Sequence, residues 1–187
     1  MPMDEKELIR LSQAGNGEAF GQLVERYKTK VFSLAYGLTR DRVEADDLAQ
    51  EIFIKAYFVL HKFKFRSEFG TWLYRVAINH IRDYLRRSKH RRHDVPLEKI
   101  PEMRMAADNH TPEEEREDMK RRLLVRKALD RLPEKYRVIL MLRDIQGLPY
   151  EEISRILRLS PGTVDSRLFR ARKRLMALVK KGGGNEL

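Results

Sequence analysis

Cysteine is absent from this 187-residue chain, which removes disulfides, thiol nucleophiles and zinc-cysteine sites from consideration. Long apolar runs are missing as well. No stretch of about eighteen apolar residues occurs, and the opening MPMDEKELIRL is acidic and polar where a secretory signal is basic and then apolar. The expectation is a cytoplasmic protein with no membrane insertion. Strand-like alternation and internal repeats are lacking, and tryptophan occurs once. Acidic residues are in deficit, with 28 Asp and Glu against 39 Lys and Arg and a formal net charge of +11. That excess argues for a polyanionic partner, with nucleic acid first and a membrane surface second.

What is present is helical periodicity in two blocks. From Asp4 to Arg87 the pattern is helical, interrupted at GNG (Gly15 to Gly17) and LTRD (Leu38 to Asp41), which gives about four helices. Asp41 followed by Glu44 reads as a capping box, and Gly70-Thr71 opens the next helix. Periodicity stops between Ser88 and His110, where Pro96 and Pro101 fall and charge turns from basic to mixed: a flexible linker. Thr111, Pro112 and Glu114 restart a helix. Breaks at LPEKY (Leu132 to Tyr136), GLPY (Gly147 to Tyr150) and Ser160-Pro161 then divide the rest into four helices ending in a GGGNEL tail. The fold class is therefore all-α: two small helical bundles joined by a flexible linker, with residues 4–87 in the first, 88–110 in the linker, 111–181 in the second and 182–187 in the tail.

Two stretches carry nucleic-acid chemistry. In YEEISRILRLSPGTVDSRLFRARKRL (150–175), Val164, Leu168, Ala171 and Leu175 fall at steps of four, three and four and share one buried face. Thr163, Ser166, Arg167, Arg170, Lys173 and Arg174 are left on the other, while Ile153, Leu157 and Leu159 anchor the preceding helix and turn. Two short helices joined by a tight turn, the second basic outside, match the helix-turn-helix plan; the alternative is a solvated basic face on a terminal helix. In HKFKFRSEFGTWLYRVAINHIRDYLRR (61–87), Lys62, Lys64 and Arg66 alternate with Phe63 and Phe65. Such a loop suits unpaired bases, because rings stack on bases while cations hold phosphates. The helix after it buries Leu73, Tyr74, Val76, Ala77, Ile78, Ile81, Tyr84 and Leu85, leaving Trp72, Arg75, Asn79, Arg82 and Arg86 on its polar side. Trp72 can instead pack under the loop, and Phe63 ends the preceding apolar row and belongs to the core.

DDLAQEIFIKAY (46–57) buries Leu48, Ala49, Ile52, Phe53 and Ala56 and turns Asp46, Asp47, Gln50, Glu51, Ile54 and Lys55 outward. Acidic groups do not help DNA binding, so this is a protein-binding face with Ile54 at its centre, or a solvated one. Enzyme chemistry finds little support. HRRH (His90 to His93) has metal-like spacing without a carboxylate shell, Asp46, Asp47 and Glu51 have no histidine at ligand spacing, and no phosphate loop or nucleophile-base pair is seen. No catalytic residue, metal or cofactor is expected.

GNGEAFGQLVERY, DDLAQEIFIKAY, FGTWLYRVAINHIRDYLRR and LPEKYRVILMLRDIQGLPYEEISRILRLSPGTVDSRLFRARKRL resemble the successive blocks of the extracytoplasmic-function sigma factors, the smallest class of bacterial RNA polymerase specificity subunits. The resemblance covers nearly the whole chain outside linker and tail. It implies that the first bundle recognises and melts the −10 element, holding the non-template strand with the loop and Asn79. It implies that DDLAQEIFIKAY contacts the clamp coiled coil of the largest polymerase subunit, and that the second bundle reads the −35 element and meets the flap region of the second-largest subunit. Promoter DNA, double- and single-stranded, core polymerase and an anti-sigma factor are the implied partners. Asp165 departs from the basic or small polar residue of many relatives, and a carboxylate there repels phosphate or selects a cytosine amino group. The rivals are an autonomous helix-turn-helix regulator whose first bundle senses a ligand or dimerises, and a charged scaffold that binds only protein.

Overall fold

The computed structural model describes residues 3–89 and 112–183. The expected linker beyond Lys89, HRRH, the Thr111 cap and the last four residues lie outside the described residues. Eight α-helices make up the rest: α1 (Glu5–Gln13), α2 (Gly17–Thr39), α3 (Arg42–Val59), α4 (Phe69–Lys89), α5 (Pro112–Arg131), α6 (Glu134–Leu140), α7 (Tyr150–Leu157) and α8 (Pro161–Gly183). A 3-10 turn (Leu60–Lys62) follows α3, and a π turn (Met141–Ile145) continues α6.

Local chemistry sets the boundaries. The Asn16 side chain accepts the Ala19 N–H at 2.9 Å to start α2, and Asp41 Oδ1 accepts the Glu44 N–H at 2.9 Å to start α3. Arg40, between them, is left-handed at φ 66°, ending α2 where the chain reverses. Pro133 and Pro149 precede α6 and α7 as the sequence predicts. The expected opening of α4 at Gly70-Thr71 is one residue late, since the helix starts at Phe69.

The first bundle packs α1 to α4 around Leu8, Leu23, Leu34, Leu48, Ile52, Leu73, Ile78 and Ile81, all fully buried. In the second, Leu132, Ile139, Leu142, Ile153, Val164 and Leu168 are the buried set. The two bundles share one continuous apolar core. A polar seam surrounds the join. Thr71 donates to Glu152 at 2.9 Å, Tyr74 to Gln146 at 2.8 Å, Arg82 to Glu134 at 3.0 Å and Arg126 to Tyr36 at 2.6 Å. Arg137 donates to the Leu38 carbonyl, and Arg40 lies 3.2 Å from Asp130. Gly37 of α2 sits directly against Met141: a Cβ added there falls 2.1 Å from the methionine's Cε. None of the described helices is long and apolar enough to cross a membrane.

Candidate nucleic-acid interface

The loop between α3 and α4 is held by rings. Phe63 is buried, with Phe69 at 5.9 Å and Trp72 at 5.4 Å between ring centroids, and Phe69 and Trp72 are 5.5 Å apart. Trp72 is therefore not on an outward polar face. It is only 6% exposed, so of the two positions the sequence allowed, the polar face of the helix or packing beneath the loop, the second is the one adopted. A helical wheel counts only neighbouring helices, and here the loop folds back and supplies a third wall. One side of Trp72 still borders a cleft of about 400 Å³ lined by Lys62, Lys64, Arg66, Arg75 and, from the second bundle, Arg155. These five cations make no ion pair with any described residue. Phe65 stands apart at 42% exposed, with its backbone in the left-handed region at φ 56° and its ring 5.0 Å from Phe63.

On α4 the expected outward row is divided. Asn79 is exposed, one turn beyond Arg75. Arg86 is exposed and paired with Asp83 at 3.1 Å. Arg82 is occupied by Glu134 of the second bundle. With Thr71 and Tyr74 also bonded across the seam, the second bundle covers part of the helix that carries the expected strand-binding residues. Burial of the Tyr74 phenol, reinforced by the Glu152 carboxylate, pushes its pKa up to about 12.

The α7–turn–α8 unit forms as the spacing requires. Arg158 closes α7 in the left-handed region at φ 54°, Ser154 bonds the Leu159 carbonyl, and Ser160 Oγ accepts the Thr163 N–H at 3.2 Å. Val164, Leu168 and Ala171 are buried. Thr163, Arg170, Lys173 and Arg174 are exposed, while Ser166 and Arg167 are half-buried. Arg174 lies over the Tyr136 ring at 5.0 Å, and exposed Asp165 occupies the flank. Phe169, which the sequence reading left out, is 68% exposed and lies one position before Arg170. A large ring at a non-core position of the helix was the available signal.

Helix α3 turns Asp46, Asp47, Gln50, Glu51, Ile54 and Lys55 to solvent, as its spacing predicts. Gln50 donates to Asp46 at 3.2 Å, and Glu51 is bound to His80 of α4 at 2.7 Å. Val43, Ile54 and Phe58 are 72, 59 and 70% exposed. With Asp47 and Gln50 they form one stripe at steps of four, three, four and four. Val43 and Phe58 were missed because they flank the stretch whose outward face was read. The described residues hold no cluster of metal-ligating side chains.

Residues 23–91 match the model of Sigma-70 region 2, and residues 122–175 match that of Sigma-70 region 4. The RNA polymerase sigma-H factor of Pseudomonas aeruginosa is 36% identical over 174 residues, covering 90% of each chain. The ECF RNA polymerase sigma factor SigW of Bacillus subtilis is 33% identical over 180 residues, covering 94% of this chain and 96% of that one. Among solved structures, CnrH in complex with the cytosolic domain of CnrY superposes with a TM-score of 0.70 at 27% identity, covering 95% of this chain and 99% of that one.

Proposed function

The chain belongs to the extracytoplasmic-function sigma factors, and from that premise we propose how its three exposed faces divide the work of promoter recognition. It directs RNA polymerase to promoters as a DNA-binding regulatory protein. Residues 4–87 take the −10 element and the polymerase core, and residues 111–181 take the −35 element. The α3 stripe Asp46, Asp47, Gln50, Glu51, Ile54 and Lys55, extended by Val43 and Phe58, meets the clamp coiled coil of the largest subunit, and the second bundle meets the flap of the second-largest. Lys62, Lys64, Phe65, Arg66, Arg75, Asn79, Arg82 and Arg86 hold the separated non-template strand, with Trp72 as the wall behind the bases. Thr163, Ser166, Phe169, Arg170, Lys173 and Arg174, with Arg167 at the edge, face the −35 duplex. The polymerase performs the chemistry in the cytoplasm, and an anti-sigma factor is the expected restraint.

One observation carries this reading: four cations of the first bundle, none ion-paired with a described residue, surround a cleft backed by Trp72 and Phe63, with Phe65 exposed in the loop beside it. Rings and phosphate-binding cations together suit unpaired bases rather than duplex. The test is reconstitution with core polymerase. The holoenzyme should bind a non-template-strand −10 oligonucleotide at least tenfold tighter than the free protein does and start transcription at one site on a cognate promoter. A free protein that binds duplex DNA equally well with or without core would support the autonomous regulator instead.

A further inference from the structure

Helix α1 precedes the segment that matches region 2, which starts at residue 23, yet it is what holds the strand-binding loop. The Gln13 side-chain amide donates both of its N–H groups to that loop, at 2.9 Å to the Leu60 carbonyl and 2.8 Å to the Phe63 carbonyl. These two carbonyls bracket the 3-10 turn, and Leu60 already accepts the Phe63 N–H at 2.9 Å. Two residues on, Phe65 adopts a left-handed backbone, which a bulky side chain keeps only when its surroundings impose it. One turn before Gln13, the Arg10 guanidinium sits over the Phe65 ring, 5.9 Å from its centroid. Arg10 is exposed and has no ion pair among the described residues.

We infer that α1 is part of the −10 strand site: Gln13 is a positioning residue for the loop that carries Phe65, and Arg10 supplies a cation beside the base stacked there. The inference rests on the proposed role of Phe65. Without the Gln13 donors the two carbonyls lose the bonds that fix where the loop leaves α3, and the backbone at Phe65 is no longer imposed. A base laid on Phe65 brings its own phosphate to the side where Arg10 stands, so the same guanidinium serves ring and backbone. The helix stays docked without either residue, because Leu8, Ile9 and Ser12 anchor it.

The test uses holoenzyme reconstituted with core polymerase and a fluorescent non-template-strand oligonucleotide covering the −10 element, with a −35 duplex as the control. Gln13→Met, which keeps the length and loses the donors, should weaken strand binding about five- to tenfold. Core affinity and −35 duplex binding should stay within twofold of wild type. Arg10→Ala, on an exposed face and harmless to the core, should weaken it about threefold and flatten the salt slope by about 0.7, and Arg10→Lys should restore the slope. In the free protein Trp72 is the only tryptophan and packs against Phe63, so the emission of free Gln13→Met should report the shifted loop. If Phe65→Ala weakens strand binding while Gln13→Met and Arg10→Ala do not, α1 has no part in the site and the inference falls alone. If Phe65→Ala is silent, the proposed reading of the loop falls and takes the inference with it. Equal losses on strand and −35 duplex would mark Gln13 as a merely structural support and overturn the inference as well.

Discussion

Phe169 shows how a single side chain adjusts the expected reading head. It is 68% exposed beside Arg170 and Lys173, whereas Arg167 is half-buried on the flank. An apolar ring in the major groove suits a thymine methyl. Phe169→Ala should therefore cost about 1 to 3 kcal/mol on the cognate −35 element and relax preference at one position, while Lys173→Ala should weaken all sequences alike and lower the salt slope by about one unit. Binding to a panel of single-base −35 variants at several salt concentrations separates the two. Tyr74 offers a second test at this scale. Its phenol is buried, bonded to Gln146 and raised to a pKa of about 12, from an ordinary value near 10. The folded state holds that proton more tightly than the unfolded chain, so its stabilisation is complete below pH ~10 and is lost as pH rises through about 12. Chemical denaturation between those limits should show wild type losing stability faster than Tyr74→Phe.

At the scale of elements, α3 is the clearest case of a face left over once the core is satisfied. Leu48, Ile52 and Ala56 are buried, while the outward face from Val43 to Phe58 is tied to another helix through the Glu51 bond to His80 and otherwise makes contacts within α3, Gln50 to Asp46 and Phe58 to Tyr57. Asp47→Lys combined with Ile54→Ser should weaken core-polymerase binding at least tenfold, as loss of an interface centre does, and leave the melting temperature nearly unchanged. Normal core binding by the double variant would show that the contact lies elsewhere. The α3 row and the α7–turn–α8 unit were legible in the sequence because one helical period decides both what is buried and what remains. Trp72 was legible only as two alternatives, outward on the polar face or packed under the loop, because its burial depends on a loop that folds back with no period of its own. The role of Gln13 was hidden for the same reason, since its partners, the Leu60 and Phe63 carbonyls, are 47 and 50 residues away and carry no side-chain signature.

On the scale of the molecule, the sequence indicated two bundles, but not that they share a core. Composition cannot report the seam, because Thr71, Tyr74, Arg82, Glu134, Gln146 and Glu152 are ordinary surface residues until the bundles meet. Arg82–Glu134, half-exposed on both sides, contributes only about 0 to 1 kcal/mol, so the join rests on the shared apolar core and on the buried Thr71 and Tyr74 bonds. Because Arg82 and part of α4 are covered, the free protein should bind −10 single strands weakly while α8 keeps its −35 face exposed. Gly37→Leu, which drives a side chain into Met141, should enlarge the radius of gyration in solution scattering and raise the free protein's affinity for the strand severalfold without changing −35 binding. Promoter opening by base capture at the loop around Phe65 is measured in holoenzyme carrying Phe65→Ala or Asn79→Ala. A fluorescent base in the −10 region is followed on duplex and on pre-opened bubble templates. Opening a duplex costs a few kcal/mol per unstacked step, which base capture offsets only on the separated strand. Both variants should form near-normal closed complexes, open duplex poorly and recover substantially on the bubble; if they open duplex normally, or fail equally on both templates, the loop does not drive melting.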